Sequence, residues 1–451
     1  MLGLGMDNDS RSAGEIERLK EWLGHSHEEK PDALCKGLPN SFNGSYADIG
    51  SQGFALGDAH LPMPCAFLRQ DIVAQNRRWM SQYLSLTGVK LAPHGKTTLS
   101  PEVYLMQVED GVWGLTAANA QQLAFFAHIG IERVILANQL IGTGNIAITL
   151  DCAEQHPTLD FYVLVDSHAG IAQLVAALKE RADPRPIKLL IEIGVEKGRT
   201  GVRDLTEALA LAKAIHDEPL VILAGVEGYE GIAPGQDHAS RESAVVAMID
   251  RLVEFAELCD AECLFDDNQI LLTAGGTEFF DLCSRRLSSF AGSRQSQVVI
   301  RPGCYITSDS IAYTRAFQRI CERSPDAAAV NQAPPKGALE VWAAVQSRPE
   351  ATLAFATLGK RDVSHDWDLP VPLSWFRPGK MTSVEPIPQG HRVTRLNDQH
   401  AYLEIPRDSP LMVGDLVGFG ISHACTTFDK WRQIYFVDEK HRVTGTLRTY
   451  F

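Results

Sequence analysis

Lys96 lies in the segment APHGKTT, two residues after His94. A lysine at the end of a strand is ordinarily a solvated cation. In a pocket shared with an anion, desolvation and a neighbouring cation lower its pKa, and the free amine becomes able to form a Schiff base. Two turns offer that anion a seat: Gly275-Gly276-Thr277, and Gly303 to Tyr305 within RPGCYIT. Glycines let backbone N–H groups approach phosphate oxygens, and the Thr277 and Tyr305 hydroxyls add donors. Taken singly, such sequences also serve as plain turns. A reactive lysine beside a phosphate cradle suggests pyridoxal phosphate, which joins both functions in one molecule.

A second constellation is His423-x-Cys425 near the C-terminus. Strand periodicity of two would put both side chains on one face. Imidazole with thiolate favours zinc; manganese and magnesium are the alternatives. Two protein ligands leave positions for substrate or water, as a catalytic site requires. A core cysteine beside a hydrogen-bonded histidine has the same spacing.

The elements that must position these groups follow from the hydrophobic pattern. From residue 88 onward, short apolar runs alternate with amphipathic stretches: 89–93, 112–116, 133–137, 160–166, 187–193, 220–227, 269–274 and 297–301. These eight runs lack polar alternation, as parallel strands covered on both faces do. Eight strands predict an α/β fold of the (β/α)8 barrel type, with a doubly wound open sheet as the alternative. In a barrel the site lies at the carboxyl ends of the strands. That rule singles out His94 and Lys96, Asn138, Asp166 and His168, Arg199, Tyr229, residues 275–277 and residues 301–307. Prolines and short β-like runs beyond Thr307 predict a smaller β-rich domain. The expected division is an arm over 1–60 packed on the β-domain, a barrel over 61–310 and the β-rich domain over 311–451.

The chain has 451 residues, with 42 Lys and Arg against 56 Asp and Glu, a net charge of −14. That balance argues against partners held by basic surface, so neither nucleic acid nor an anionic membrane is expected. No run of 18 apolar residues is present to span a bilayer, and the opening residues lack a secretory pattern. Nine scattered cysteines suggest a reduced, cytoplasmic protein.

Several segments resemble the fold-type III pyridoxal-phosphate enzymes, in the branch of D-serine dehydratase and D-threonine aldolase. PHGKTT resembles the PHxKTH motif, with Thr98 where many members have histidine. KGRTGV is similar to the RxGV segment. GYEG resembles YxGH, with Glu230-Gly231 falling short of the histidine. GISHACTTF is similar to PxHxC, and LNDQHAYLEI, with Asp398 and His400, to the EHG/DQH segment. The resemblance implies Lys96 as the cofactor lysine and His423 with Cys425 as the metal pair. It further implies His94 and Tyr229 near the reacting atoms, and Asn138, Arg199, Tyr229, Gly275, Gly276, Thr277, Gly303 and Tyr305 around the cofactor. The activity it implies is metal-assisted deamination of a D-3-hydroxyamino acid, D-serine to pyruvate and ammonia, in a homodimer. Retro-aldol cleavage of D-threonine type is the alternative; racemization and non-enzymatic cofactor carriage are further ones.

Overall fold

The computed structural model describes residues 8–32, 35–57, 61–267 and 269–451. Eight parallel strands form the barrel: Lys90–Leu91, Leu115–Ala117, Arg133–Gln139, Asp160–Val165, Ile187–Glu192, Val221–Glu227, Ile270–Thr273 and Ser296–Ile300. Their order in space follows their order in the chain, and the eighth pairs with the first. The remaining seam closes through Trp113 N–H to Leu91 O at 2.7 Å, Thr116 N–H to Pro93 O at 3.0 Å and a His94–Thr116 bridge. Inside the barrel, Ala92, Trp113, Ile135, Leu190, Ala224, Leu271 and Val299 pack as a closed core.

A helix follows each strand, and polar side chains start several of them. Asn119 accepts from Gln122 N–H, Ser167 from Gly170 N–H, Asp204 from Glu207 N–H and Asp237 from Ser240 N–H. Each satisfies an N–H that the first helical turn leaves without a partner. The eighth helix is Ala312–Arg323. Its Phe317 packs against Trp79 and Phe280 on barrel helices, at ring separations of 5.4 and 5.9 Å. Arg323 adds ion pairs to Asp281 and Glu242.

The boundaries expected at 60 and 310 therefore both move. The helix 312–323 belongs to the barrel. Conversely, the strand Cys65–Arg69 leaves the barrel region for the C-terminal sheet. There it lies antiparallel to Leu339–Glu350 and parallel to Gln433–Val437. Its fully buried Cys65, Phe67 and Leu68 fit a central strand covered on both faces. The strand Leu339–Glu350 also pairs with Leu416–Gly420 and, through its far half, with Leu353–Ala356.

The N-terminal arm divides between the domains. Leu19 and Leu23 of the helix Asn8–His27 are buried against the barrel, and Arg18–Glu132 and Lys20–Glu109 ion pairs and a His27–Glu102 hydrogen bond flank them. Tyr46 and Ile49 instead enter the core of the C-terminal sheet, and Ala55 bridges to Arg442. His60 lies outside the described residues. Among the described residues no helix is long and apolar enough to cross a membrane.

Candidate active site

One cavity of about 380 Å³ opens where the carboxyl ends of the strands meet the C-terminal domain. His94, Lys96, Asn138, Arg199, Tyr229, Gly276, Thr277 and Gly303 line it from the barrel. His423 and Cys425 line it from the other domain. The volume lies in the range of small-molecule sites.

His94 precedes a single 3-10 turn, Gly95–Thr97, so it and Lys96 reach the same cavity. The turn is fixed by the Tyr104 hydroxyl donating to Gly95 O at 2.8 Å. Burial, reinforced by Lys96 and Arg301, holds the His94 pKa well below the usual imidazole value, so the ring is neutral. The Arg199 guanidinium lies 4.4 Å over the Tyr229 ring. Burial pushes the Tyr229 phenol up to about 12, which keeps it protonated.

Two residues at strand ends, one expected and one not, shape the floor. Arg301 follows strand eight and Glu227 ends strand six; they form a buried ion pair. Burial pushes the Glu227 carboxyl up to about 7 despite Arg301, with Glu192 repelling it as well. Glu192 accepts from Gln139 Nε2 and, at 2.8 Å, from Thr200. The strand-end rule reaches Glu192, Glu227 and Arg301 too, since each stands at a run's carboxyl end.

Three buried polar atoms of these lining residues have no protein partner: His94 Nδ1, Glu227 Oε2 and Arg301 Nη1. Each such atom costs about 1–3 kcal/mol. Three around one cavity are the mark of a polar ligand. The donor set fits pyridoxal phosphate: an amine at Lys96, cations at Arg199 and Arg301, and turns able to hold a phosphate.

The cradle itself differs from expectation. Gly275 and Gly276 do not offer their N–H groups to the cavity. Both donate to the buried Glu230 carboxylate, at 3.0 and 2.6 Å. Gly275 has φ +100°, a left-handed conformation, and it does not line the cavity. Tyr305 is also corrected: it is buried facing Gln107, Asp110 and Arg77, beneath the helices and away from the cavity. The amides of Thr277, Gly303 and Cys304 take no backbone partner among the described residues. At Gly303 a Cβ would collide with the His94 carbonyl, so only glycine lets the two turns approach.

His423 and Cys425 do not lie on a strand. The strand ends at Gly420, and Cys425 opens the short helix Cys425–Phe428. The Ser422 hydroxyl donates to Asp368 O at 2.7 Å and bends the chain out of the sheet. The two side chains still face one cavity. His423 is held on three sides: Nδ1 meets Asp366 at 2.6 Å, the ring stacks on Trp367 at 3.9 Å and 5°, and Cys425 lies beside it. Burial lowers the His423 pKa, but Cys425 and Asp366 outweigh it and leave the ring raised. With Nδ1 committed to Asp366, Nε2 is the nitrogen left to a ligand, an orientation that metal-binding histidines share. The pair fits a soft divalent ion with an open coordination sphere.

Thr97, Cys304, Tyr313 and Trp367 also line the cavity. Tyr313 and Trp367 come from beyond the barrel strands, where no periodic pattern announces them. Other expected residues lie elsewhere. His168 begins the helix His168–Lys179, and Asp166 accepts from Gly201 N–H at 3.0 Å. Asp398 with His400 sits in an exposed turn; none of these lines the cavity.

This is the architecture of the fold-type III pyridoxal-phosphate proteins, and the chain has that fold. The D-threonine aldolase structure from Filomicrobium marinum superposes at a TM-score of 0.71 and 20% identity, covering 88% of this chain and 96% of that one. An alanine racemase from Bacillus anthracis superposes at 0.54 and 14%, covering 85% and 97%. Within that class the sequence is similar to the hydroxyamino-acid branch. Over 167 residues it is 29% identical to the D-threonine aldolase of Arthrobacter sp., which is 37% of this chain and 42% of that protein. Over 157 residues it is 24% identical to the D-threo-3-hydroxyaspartate dehydratase of Delftia sp. (strain HT23), 35% of this chain and 40% of that protein. The matches thus span less than half of these curated relatives. A cysteine-to-alanine mutant of a D-threo-3-hydroxyaspartate dehydratase, described in its metal-free form, has the same fold at 0.66 and 20% identity, covering 88% and 100%. Residues 338–437 match the family described as a putative serine dehydratase domain.

Proposed function

We propose that the protein is a pyridoxal-phosphate- and metal-dependent lyase that deaminates a D-3-hydroxyamino acid, with D-serine giving pyruvate and ammonia. The observation that carries this reading is that Lys96 and the His423–Cys425 pair, 327 residues apart in sequence, line one cavity with three orphaned polar atoms. The matches to an aldolase, a dehydratase and a serine dehydratase domain support the same substrate class.

Lys96 would hold the cofactor through Nζ and, once released by substrate, take the α-proton at that atom. The amides of Thr277, Gly303 and Cys304 would bind the phosphate. Tyr229 and Arg199 would line the ring, Asn138 its edge, and Arg301 Nη1 would donate from the floor. Neutral His94 would accept or donate at Nδ1 without adding charge. His423 and Cys425 would hold zinc, with manganese or magnesium as alternatives. Bound cofactor supplies an electron sink for charge at Cα, and bound metal polarises the β-hydroxyl. A cytoplasmic homodimer belongs to the reading; the nine unpaired cysteines support a reducing location.

The aldolase match favours one second reading: retro-aldol cleavage, in which the β-hydroxyl loses its proton instead of leaving. Incubating the zinc- and cofactor-loaded enzyme separately with D-serine, D-threonine and D-threo-3-hydroxyaspartate separates the two. Dehydration yields pyruvate, 2-oxobutyrate or oxaloacetate with ammonia. Glycine with an aldehyde establishes the second reading, and no product from any of the three overturns both. Lys96→Ala tests the anchor: borohydride reduction and peptide mapping should fix the cofactor on residue 96 of the native protein and nowhere in the variant.

A further inference from the structure

Two of the nine cysteines meet at the domain seam. Cys304 lies on the turn after barrel strand eight and Cys425 opens the short helix of the C-terminal domain. Their sulfurs are 3.5 Å apart, although 121 residues separate them. The Thr97 hydroxyl touches both, at 3.4 and 3.3 Å, so neither sulfur swings freely. Cys425 is partly exposed in the cavity, whereas Cys304 is only 3% exposed. A small polar oxidant entering the cavity therefore meets Cys425 first, with Cys304 already in contact behind it.

We propose that Cys304 and Cys425 are a reactive thiol pair that a hydroperoxide closes into a disulfide across the two domains. The Cys425 sulfur attacks one peroxide oxygen, the O–O bond breaks, and a sulfenic acid forms with loss of water. The Cys304 sulfur then displaces hydroxide from that sulfur, and the departing thiol proton completes a second water. Two thiols and one hydrogen peroxide give one disulfide and two waters. The two electrons removed from sulfur reduce the peroxide. Closure shortens the sulfur contact by about 1.5 Å to the S–S bond length. It ties the strand-eight turn to the C-terminal domain and removes Cys425 from metal binding. A dithiol reductant reverses it.

The test uses full-length, metal-stripped protein carrying its cofactor, exposed to stoichiometric hydrogen peroxide and quenched by alkylation. The expected result is loss of two of nine thiols per chain, with one peptide pair joining residues 304 and 425 and full recovery in dithiothreitol. Cys304→Ser should form no disulfide and should leave Cys425 as a sulfenic acid trapped by dimedone. Its circular dichroism and melting temperature confirm folding, and Cys304→Ala replaces it if serine does not fold. Retention of all nine thiols overturns the proposal. So does oxidation of Cys425 to sulfinic acid without cross-linking, or a disulfide from Cys425 to a cysteine other than Cys304 in the native chain. The readout is thiol chemistry in metal-free protein, so its failure leaves the proposed lyase activity and its metal untouched.

Discussion

His423 can bind a metal only through the nitrogen its neighbours leave free. Asp366 takes Nδ1 and also accepts the Thr426 hydroxyl at 2.8 Å, while Trp367 fixes the ring plane. Asp366→Asn keeps the shape but removes the charge that orients the imidazole. Zinc affinity should fall about 10–100-fold, measured by competition with a chromophoric chelator. Glu227 makes a different prediction. The folded carboxyl holds its proton up to about pH 7, whereas an unfolded glutamate releases it near 4.5. Between those values the folded state binds more protons, so cofactor-free protein loses stability as pH rises, by roughly 3 kcal/mol. Urea melts at pH 5 and pH 8 should show that loss in the native chain, and Glu227→Gln should flatten it.

Elements place these residues through the approach of two turns. The strand-one turn carries His94 and Lys96, the strand-eight turn carries Gly303 and Cys304, and Gly303 is where they touch. Gly303→Ala forces them apart at the proposed phosphate seat. The expected result is weaker pyridoxal phosphate binding, by tenfold or more in equilibrium dialysis, with a stability loss of about 1–3 kcal/mol. The strand-seven turn is held differently. Glu230 binds the Gly275 and Gly276 amides from beneath and stiffens the loop that presents Thr277. Burial raises the Glu230 pKa, while those amides pull it back. Glu230 stands at the unconstrained position of the YxGH pattern, and the structure gives it this task.

The whole molecule brings a barrel and a sheet domain together so that neither holds the site alone. Ser310 N–H reaches Ile421 O at 2.9 Å, Ala338 N–H reaches Thr307 O at 2.8 Å, and Tyr450 N–H reaches Leu99 O at 3.0 Å. These ties, with Arg448 bound to Ser26 and Glu29, fasten the C-terminal domain to the barrel and to the arm. Because anchor and metal pair sit on opposite sides of that seam, their losses should separate. Chelation should abolish deamination while cofactor absorbance stays unchanged, and added zinc should restore turnover. Loss of the cofactor on chelation would contradict that division.

Local chemistry in the chain determined the barrel, since eight apolar runs with capped helices between them can bury both faces of a parallel sheet in few other ways. It also determined which turns face the mouth, and so Lys96, His94, Arg199, Tyr229, Thr277 and Gly303. Tertiary packing decided what spacing does not encode. Cys65–Arg69 joins a sheet whose other strands come from the far end of the chain, and Gly275 and Gly276 give their amides to Glu230. Tyr305 turns under the helices, and the His423–Cys425 pair leaves its strand before reaching the cavity. Each of these depends on a partner distant in sequence, and the free energy of burying or pairing a polar group is fixed only once that partner arrives.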